Sequence, residues 1–263
     1  MKITRIWDKK RMNPFLILNP CRRLNFFFCS NEYPIRAKKE YDYNITNGGI
    51  MSENLIKNTL ERWSQKTKST QPVITISSEA GSLGRIIAEK LARALEFNLF
   101  DQMLINAIAE SADISAQVVE SVERARFTGI QNFMSMLISK HHMEPNEYLH
   151  HLMPIVLVIA EHGHSVIFGR GANFIIPKEK RISVRIIAPL EKRIQNIAEQ
   201  FNIPEAEARQ RVINRDERRT AFVKQAFNAN IGDPLHYELI MNSGNMEIEQ
   251  IVAFLKCAVS ETV

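Results

Sequence analysis

The feature that most constrains this chain is the stretch VITISSEAGSLGRIIAEKLARAL, Val73 to Leu95. A β-branched run leads through a turn with two glycines three apart into a segment with helical apolar spacing. That order joins strand to helix in layered α/β proteins, and it is also how phosphate-binding loops are built. Gly81 and Gly84 can bring main-chain N–H groups close to an anion, and the following helix directs its partial positive end at the same point. Arg85 falls in the first helical turn, where a cation opposes the helix dipole, so an anion held in front of the helix would account for it. A loop of the G-x-x-x-x-G-K-[ST] type carries a lysine, and none stands here. From these residues alone, a phosphate cradle and a plain strand-to-helix turn both remain open.

The rest of the chain repeats the alternation. FNLF (97–100), SVIFG (165–169), ISVRIIA (182–188) and ELIMN (238–242) read as further strands. The helical segments are 84–95, with Ile87, Leu91, Ala94 and Leu95 inward, then 102–112 behind an Asp101 N-cap, 191–201, 205–227 and 246–260. Residues 115–162 read as largely helical, with breaks near Gly129 and Pro145 and a kink at Pro154. Within them IVLVIA (155–160) reads as a core segment, and 205–227 admits a break near Asp216. Strands apolar on both faces, alternating with helices, predict an α/β three-layer sandwich: a central parallel five-stranded sheet flanked by helices. Ligands of such sheets gather beyond the carboxyl ends of the strands. Attention therefore falls on 78–85, Asp101, 169–171 and 189–193.

Charge separates the chain into unequal parts. The 263 residues carry a formal net charge of +5, but residues 1–50 hold ten Lys or Arg against four acids, so the part from Met51 onward is close to neutral. Basicity therefore belongs to the leader, and nucleic-acid binding loses its support. The leader is interrupted by Pro14, Pro20 and Pro34 and shows no helical or strand period. It is expected to be disordered or not native. Gly48-Gly49-Ile50 can be encoded by a purine-rich ribosome-binding sequence, which predicts translation from Met51. The expected organisation is a leader at 1–50, a helix and linker at 51–71, and one domain at 72–263. No apolar run approaches the roughly 18 residues of a membrane span. A single cysteine beyond the leader, Cys257, suits a reducing compartment, so a cytoplasmic protein is expected.

VITISSEAGSLGRIIAEKLA resembles the opening of the cytidylate kinase-like family, a branch of the P-loop nucleoside monophosphate kinases that lacks the usual lysine and keeps an arginine at the place of Arg85. LFDQMLI (99–105), VIFGRGANFII (166–176), RIIAPLEKRI (185–194), and RDERRTAF (215–222) followed by GDPLHYELIMNSG (232–244) fit the same family in the same order. The resemblance implies a P-loop kinase fold and transfer of the γ-phosphoryl group of ATP, with Mg2+, to a nucleoside monophosphate or similar small acceptor. It places donor phosphates on Gly81, Ser82, Leu83, Gly84, Arg85 and Ile86. The acceptor falls to Asp101 and Arg170, and a lid at about 204–230 closes with Arg215 and Arg219. Residues 115–162 become a helical insertion.

The loop departs from the family pattern at three places: Ser78 replaces an arginine, Ala80 a tyrosine and Leu83 a glycine. Leu83 adds a β-carbon where the backbone should wrap a phosphate. A degenerate protein that keeps the fold and binds nucleotide or a partner without turnover is therefore the rival reading.

The remaining polar residues divide between chemistry and structure. Arg211, Arg215, Arg218 and Arg219 fall on one helical stripe, and like charges stacked that way call for an anion against them or for pairing with Glu207, Asp216 and Glu217. Asp101 can meet an acceptor or serve as a cap, and Arg170 can meet an acceptor or lie in a solvated turn. Phe168 stands where many P-loop enzymes place a magnesium-binding aspartate, so Mg2+ follows only from the nucleotide. The pairs at 141–142 and 150–151 and His162-x-His164 have no metal-ligand spacing, and no metal site is expected.

Overall fold

The computed structural model describes residues 73–110 and 147–260, with single helical positions at Asn58 and Ser135. The chain divides into two units, 1–47 and 48–263, and every described residue belongs to the second. The expectations for the leader, for the 51–71 segment and for breaks near Gly129 and Pro145 concern residues outside those described.

Five strands form one sheet: β1 (Val73–Ser78), β2 (Asn98–Phe100), β3 (Ser165–Phe168), β4 (Arg181–Ile187) and β5 (Leu239–Asn242). Their order is β2-β3-β1-β4-β5, and every pair is parallel. β1 is central, with Ile74 opposite Val166 on one side and Ile182 on the other. Parallel neighbours need crossover connections, which the helices supply. These are α1 (Gly84–Leu95), α2 (Gln102–Glu110), α3 (Glu147–His162), the short α4 (Ala172–Ile175), α5 (Leu190–Phe201), α6 (Glu205–Phe227) and α7 (Ile248–Ser260).

One face of the sheet is apolar in the ordinary way. Ile74 and Ile76 of β1, with Ile182, Val184 and Ile186 of β4, pack on Ile87, Ala88 and Leu91 of α1 and on Ile251, Leu255 and Val259 of α7. The buried side of α1 comprises Gly84, Ile87, Ala88, Leu91 and Ala92. Ala94, expected inside, is only half-buried, because the 3–4 spacing that starts at Gly84 runs through Ala88 and Ala92.

The other face corrects the expectation of strands apolar on both sides. Thr75, Ser183, Arg181 and Arg185 are buried there. Arg181 donates to the carbonyl of Asn173 in α4 at 2.9 Å and pairs with Glu238, whose other oxygen accepts from Ser183 N–H at 2.6 Å. Ser183 Oγ donates to the His236 carbonyl. Arg181 and Ser183 are tolerated under this layer because α4 and the turn at Pro234–His236 offer them partners.

The longer helices follow their patterns. α3 runs unbroken through Pro154, and all six residues 155–160 are buried, as a segment apolar on every side requires. α6 is continuous for 23 residues, without the break considered near Asp216. α7 starts at Ile248 rather than 246. α5 and α6 enclose a small core of their own: Ile194, Ile197, Ala208 and Val212, closed by Ala80 of the β1–α1 loop.

Candidate functional site

The β1–α1 loop leaves the sheet with Glu79 N–H bonded to the Ile186 carbonyl at 3.0 Å. Gly81 turns at φ 81° and Leu83, the N-cap of α1, at φ 59°. The left-handed region disfavours a residue with a β-carbon by about 1–2 kcal/mol. Leu83 is therefore held there by its surroundings, and such strain gathers at functional sites. Ser82 Oγ donates to the Glu79 carbonyl at 2.8 Å, and the Ser82 carbonyl accepts from Ser243 Oγ at 2.7 Å. Asn196 Nδ2 donates to the Gly81 carbonyl at 2.8 Å.

Both glycines are required by close approach. A β-carbon on Gly81 would overlap the Arg193 carbonyl, and one on Gly84 would overlap the Ser78 side chain. The N–H groups of Gly84, Arg85 and Ile86 form the first turn of α1, where amides have no intrahelical acceptor. They are the groups an anion would meet. Ile86 is 40% exposed where a G-K-[ST] loop presents a hydroxyl.

Arg85 has a reason for its position besides a phosphate. Its Nη2 donates to Asp101 Oδ2 at 2.8 Å and its Nε to Glu89 at 3.0 Å. Asp101, 6% exposed, also caps α2, accepting from Leu104 N–H at 2.9 Å. The loop residue expected at the donor is thus joined to the residue expected at the acceptor.

α6 is fastened to the loop through its middle. Asp216 accepts from Ala80 N–H at 2.8 Å and pairs with Arg193 Nη1, which also donates to the Ala80 carbonyl, while Arg193 Nε reaches the Ala188 carbonyl and Glu79. Arg219 donates from Nη1 to the Ser78 carbonyl at 2.7 Å. Burial pushes its pKa down, partly offset by Asp216 and reinforced by Arg185, Arg215 and Arg193. The arginine stripe therefore splits. Arg211 pairs with Glu207, while Arg211 and Arg215 both lie over the Phe201 ring; Arg219 turns to the loop.

Beside the loop a cleft of about 230 Å³ opens at the carboxyl ends of β1 and β3. Ser77, Ser78, Arg170, Phe174, Arg219 and Phe222 are on its wall; Arg218 adds a third guanidinium, and among the described residues no carboxylate lines it. Arg170 stands at φ 57° between Gly169 and Gly171, both also left-handed, with its guanidinium 5.4 Å from the Tyr148 ring centre. Phe174 stacks on Phe227, and Phe222 meets Phe227 and Tyr148 edge-on. Gly81–Ile86 thus adjoin the strand end at Ser78, whereas Arg170 and Arg219 share the cleft, and Arg215 is turned to Phe201.

Sequence reasoning gave no role to Ser77, Arg185 or Phe222, and marked Arg193 only as the last residue of the strand-end segment 189–193. For Arg185 a signal existed: R-x-S-x-R at 181–185 puts three polar residues on one face of a strand flanked by apolar residues.

Comparison with known proteins bears on these features. The model of the family described as "Cytidylate kinase-like family" matches residues 73–245. A solved structure of an uncharacterized protein from Eubacterium ventriosum has 20% identity and a TM-score of 0.58, covering 73% of this chain and 99% of that one. A shikimate kinase from Bacteroides thetaiotaomicron has 15% identity and a TM-score of 0.39, covering 73% and 99%. Among curated sequences, a uronate isomerase of Corynebacterium glutamicum is 32% identical over 88 residues, 33% of this chain; this chain spans only 17% of that protein. The Eubacterium likeness speaks to the fold alone. The family match extends from β1 through β5 and takes in the loop, the cleft and the arginines, so this chain belongs to the cytidylate kinase-like family.

Proposed function

We propose that the protein is an ATP-dependent phosphotransferase acting on a small anionic acceptor of the nucleoside monophosphate class. The observation that carries this reading is the meeting of a strained strand-to-helix loop with a cleft that, among the described residues, holds three arginines and no acid. Phosphoryl transfer asks for positioning and for charge stabilisation on the transferred oxygens rather than for covalent help. The main chain of Gly81, Ser82, Leu83, Gly84, Arg85 and Ile86 would hold donor phosphates. Arg170 and Asp101 would orient the acceptor, with Phe174 and Phe222 offering flat apolar surface to its ring. Arg219, fixed on the Ser78 carbonyl, would stabilise the group in transit, and Arg215 would approach from the 204–230 lid.

The donor set does not fit a magnesium ion held by the protein. Ile86 replaces the hydroxyl ligand, and Arg85 engages both Asp101 and Glu89. Among the described residues no group of three His, Cys, Asp or Glu could hold a metal. Magnesium would arrive on the nucleotide.

A coupled assay with ATP, Mg2+ and a panel of nucleoside monophosphates tests the reading. Turnover with one acceptor, reduced at least 100-fold by Arg219→Ala, is expected. Leu83 and Ile86 favour a second reading, a nucleotide-binding protein without catalysis. ATP binding with no product from any acceptor would establish that reading and end the first.

A further inference from the structure

Arg185 is 8% exposed near the end of β4, beside the central strand. Its Nη1 donates to Ser77 Oγ at 2.6 Å, and its guanidinium carbon lies 5.8 Å from the Tyr237 ring centre. Among the described residues no carboxylate pairs with it, whereas Arg181, two positions earlier on the same face, has Glu238. A buried cation without a counter-charge is costly, and folds tolerate one where a ligand supplies the charge.

Arg219, half-buried and close enough to feel the charge of Arg185, stands beside it. Its Nη1 donates to the neutral Ser78 carbonyl, and the nearby carboxylate of Asp216 also accepts from Ala80 N–H and Arg193. One buried and one half-buried guanidinium thus abut consecutive residues, Ser77 and Ser78, which lie on the cleft wall. A hydroxyl that accepts from an arginine keeps its own proton to donate.

We propose that Ser77 and Arg219 form a preorganised seat for a phosphate-type oxyanion at the base of the cleft, with Arg185 as the positioning residue behind Ser77. The Ser77 hydroxyl and the Arg219 guanidinium contact the anion. Arg185 fixes the hydroxyl and supplies unpaired positive charge at the same point. The identification of that anion as a phosphoryl group of a substrate rests on the phosphotransferase reading, but anion binding itself is measurable without turnover.

The experiment uses the full chain and inorganic phosphate at constant ionic strength, read by calorimetry and by thermal shift. Wild type binds phosphate and gains melting temperature, and Arg185→Met weakens binding at least tenfold. Arg185→Met without phosphate melts at or above the wild-type temperature, because an uncompensated buried charge has been removed. Arg185→Lys retains part of the affinity. Ser77→Ala weakens binding, and the Ser77→Ala/Arg185→Met pair weakens it no further than Arg185→Met alone. Wild-type phosphate affinity in Arg185→Met, or a lowered phosphate-free melting temperature with unchanged affinity in Arg185→Lys and Ser77→Ala, would overturn the seat. Should Arg185→Met not fold, the Ser77→Ala and Arg185→Lys affinities decide alone. Phosphate binding without turnover of any acceptor would sink the kinase and leave the seat; turnover with wild-type phosphate affinity in Arg185→Met would do the reverse.

Discussion

Asp101 does two jobs that substitution can separate. One side-chain oxygen caps α2 through Leu104 N–H at 2.9 Å, and the other holds Arg85 at 2.8 Å. The carboxylate is 8% exposed and the arginine 32%, so the pair lies between a surface ion pair, worth about 0–1 kcal/mol, and a buried pair, whose breaking costs about 3–5 kcal/mol. Asp101→Asn keeps an oxygen for the cap and removes the charge, and a loss of about 1–2 kcal/mol is expected. Asp101→Ala removes both, adding the roughly 1 kcal/mol of an N-cap, for about 2–3 kcal/mol in all. Urea denaturation at unchanged m-value reads these differences as midpoints. Each kcal/mol should move the melting temperature by about 2–4 °C in a domain of this size. A double-mutant cycle with Arg85→Met should return a coupling of about 1 kcal/mol. Equal losses in the two Asp101 variants would refute the capping role, and a cycle that closes at zero would refute the ion pair.

Two further outcomes follow from packing and charge. Gly84→Ala gains helix propensity of up to about 1 kcal/mol but drives its β-carbon into Ser78, an overpacking cost of about 1–3 kcal/mol. Its denaturation midpoint should fall, and Ser78→Gly should restore most of it; an unchanged midpoint would contradict the close approach. The hydrogen bond from Lys90 chiefly holds the Glu249 carboxyl below its ordinary pKa. A depressed pKa stabilises the fold above the ordinary carboxylate value and ceases to do so as pH falls through the folded value. Because Glu249 is largely exposed, Glu249→Gln should lower the midpoint only slightly at pH 7, and the difference should shrink as pH falls below the ordinary carboxylate range.

Local pattern was enough for the elements. The β-branched runs and the 3.6-residue spacing placed five strands and the helices flanking them, because those periods record which side of each element meets the core. The Gly-bearing turn, the Asp101 cap and the arginines after β3 and within α6 were legible for the same reason: each is a relation between residues close in the chain. What the pattern concealed was partnership over distance. Arg85 looked like a cation waiting for an anion until Asp101 was brought beside it, and the expected lid stripe broke up because Arg219 alone meets the Ser78 carbonyl 141 positions away. Asp216 could be read as a neighbour of Arg215 but not as the acceptor for Ala80 N–H.

The sequence by itself determined the alternation of strand and helix, since backbone geometry ties apolar period to secondary structure wherever a core is buried. Only the tertiary structure decided which polar groups face one another under the second face of the sheet, and so left Arg185 beside Ser77 with no counter-charge among the described residues. The reason is physical. Apolar burial is non-directional and shows in composition along the chain, whereas hydrogen bonds and ion pairs act over about 3 Å and exist only once distant segments have met.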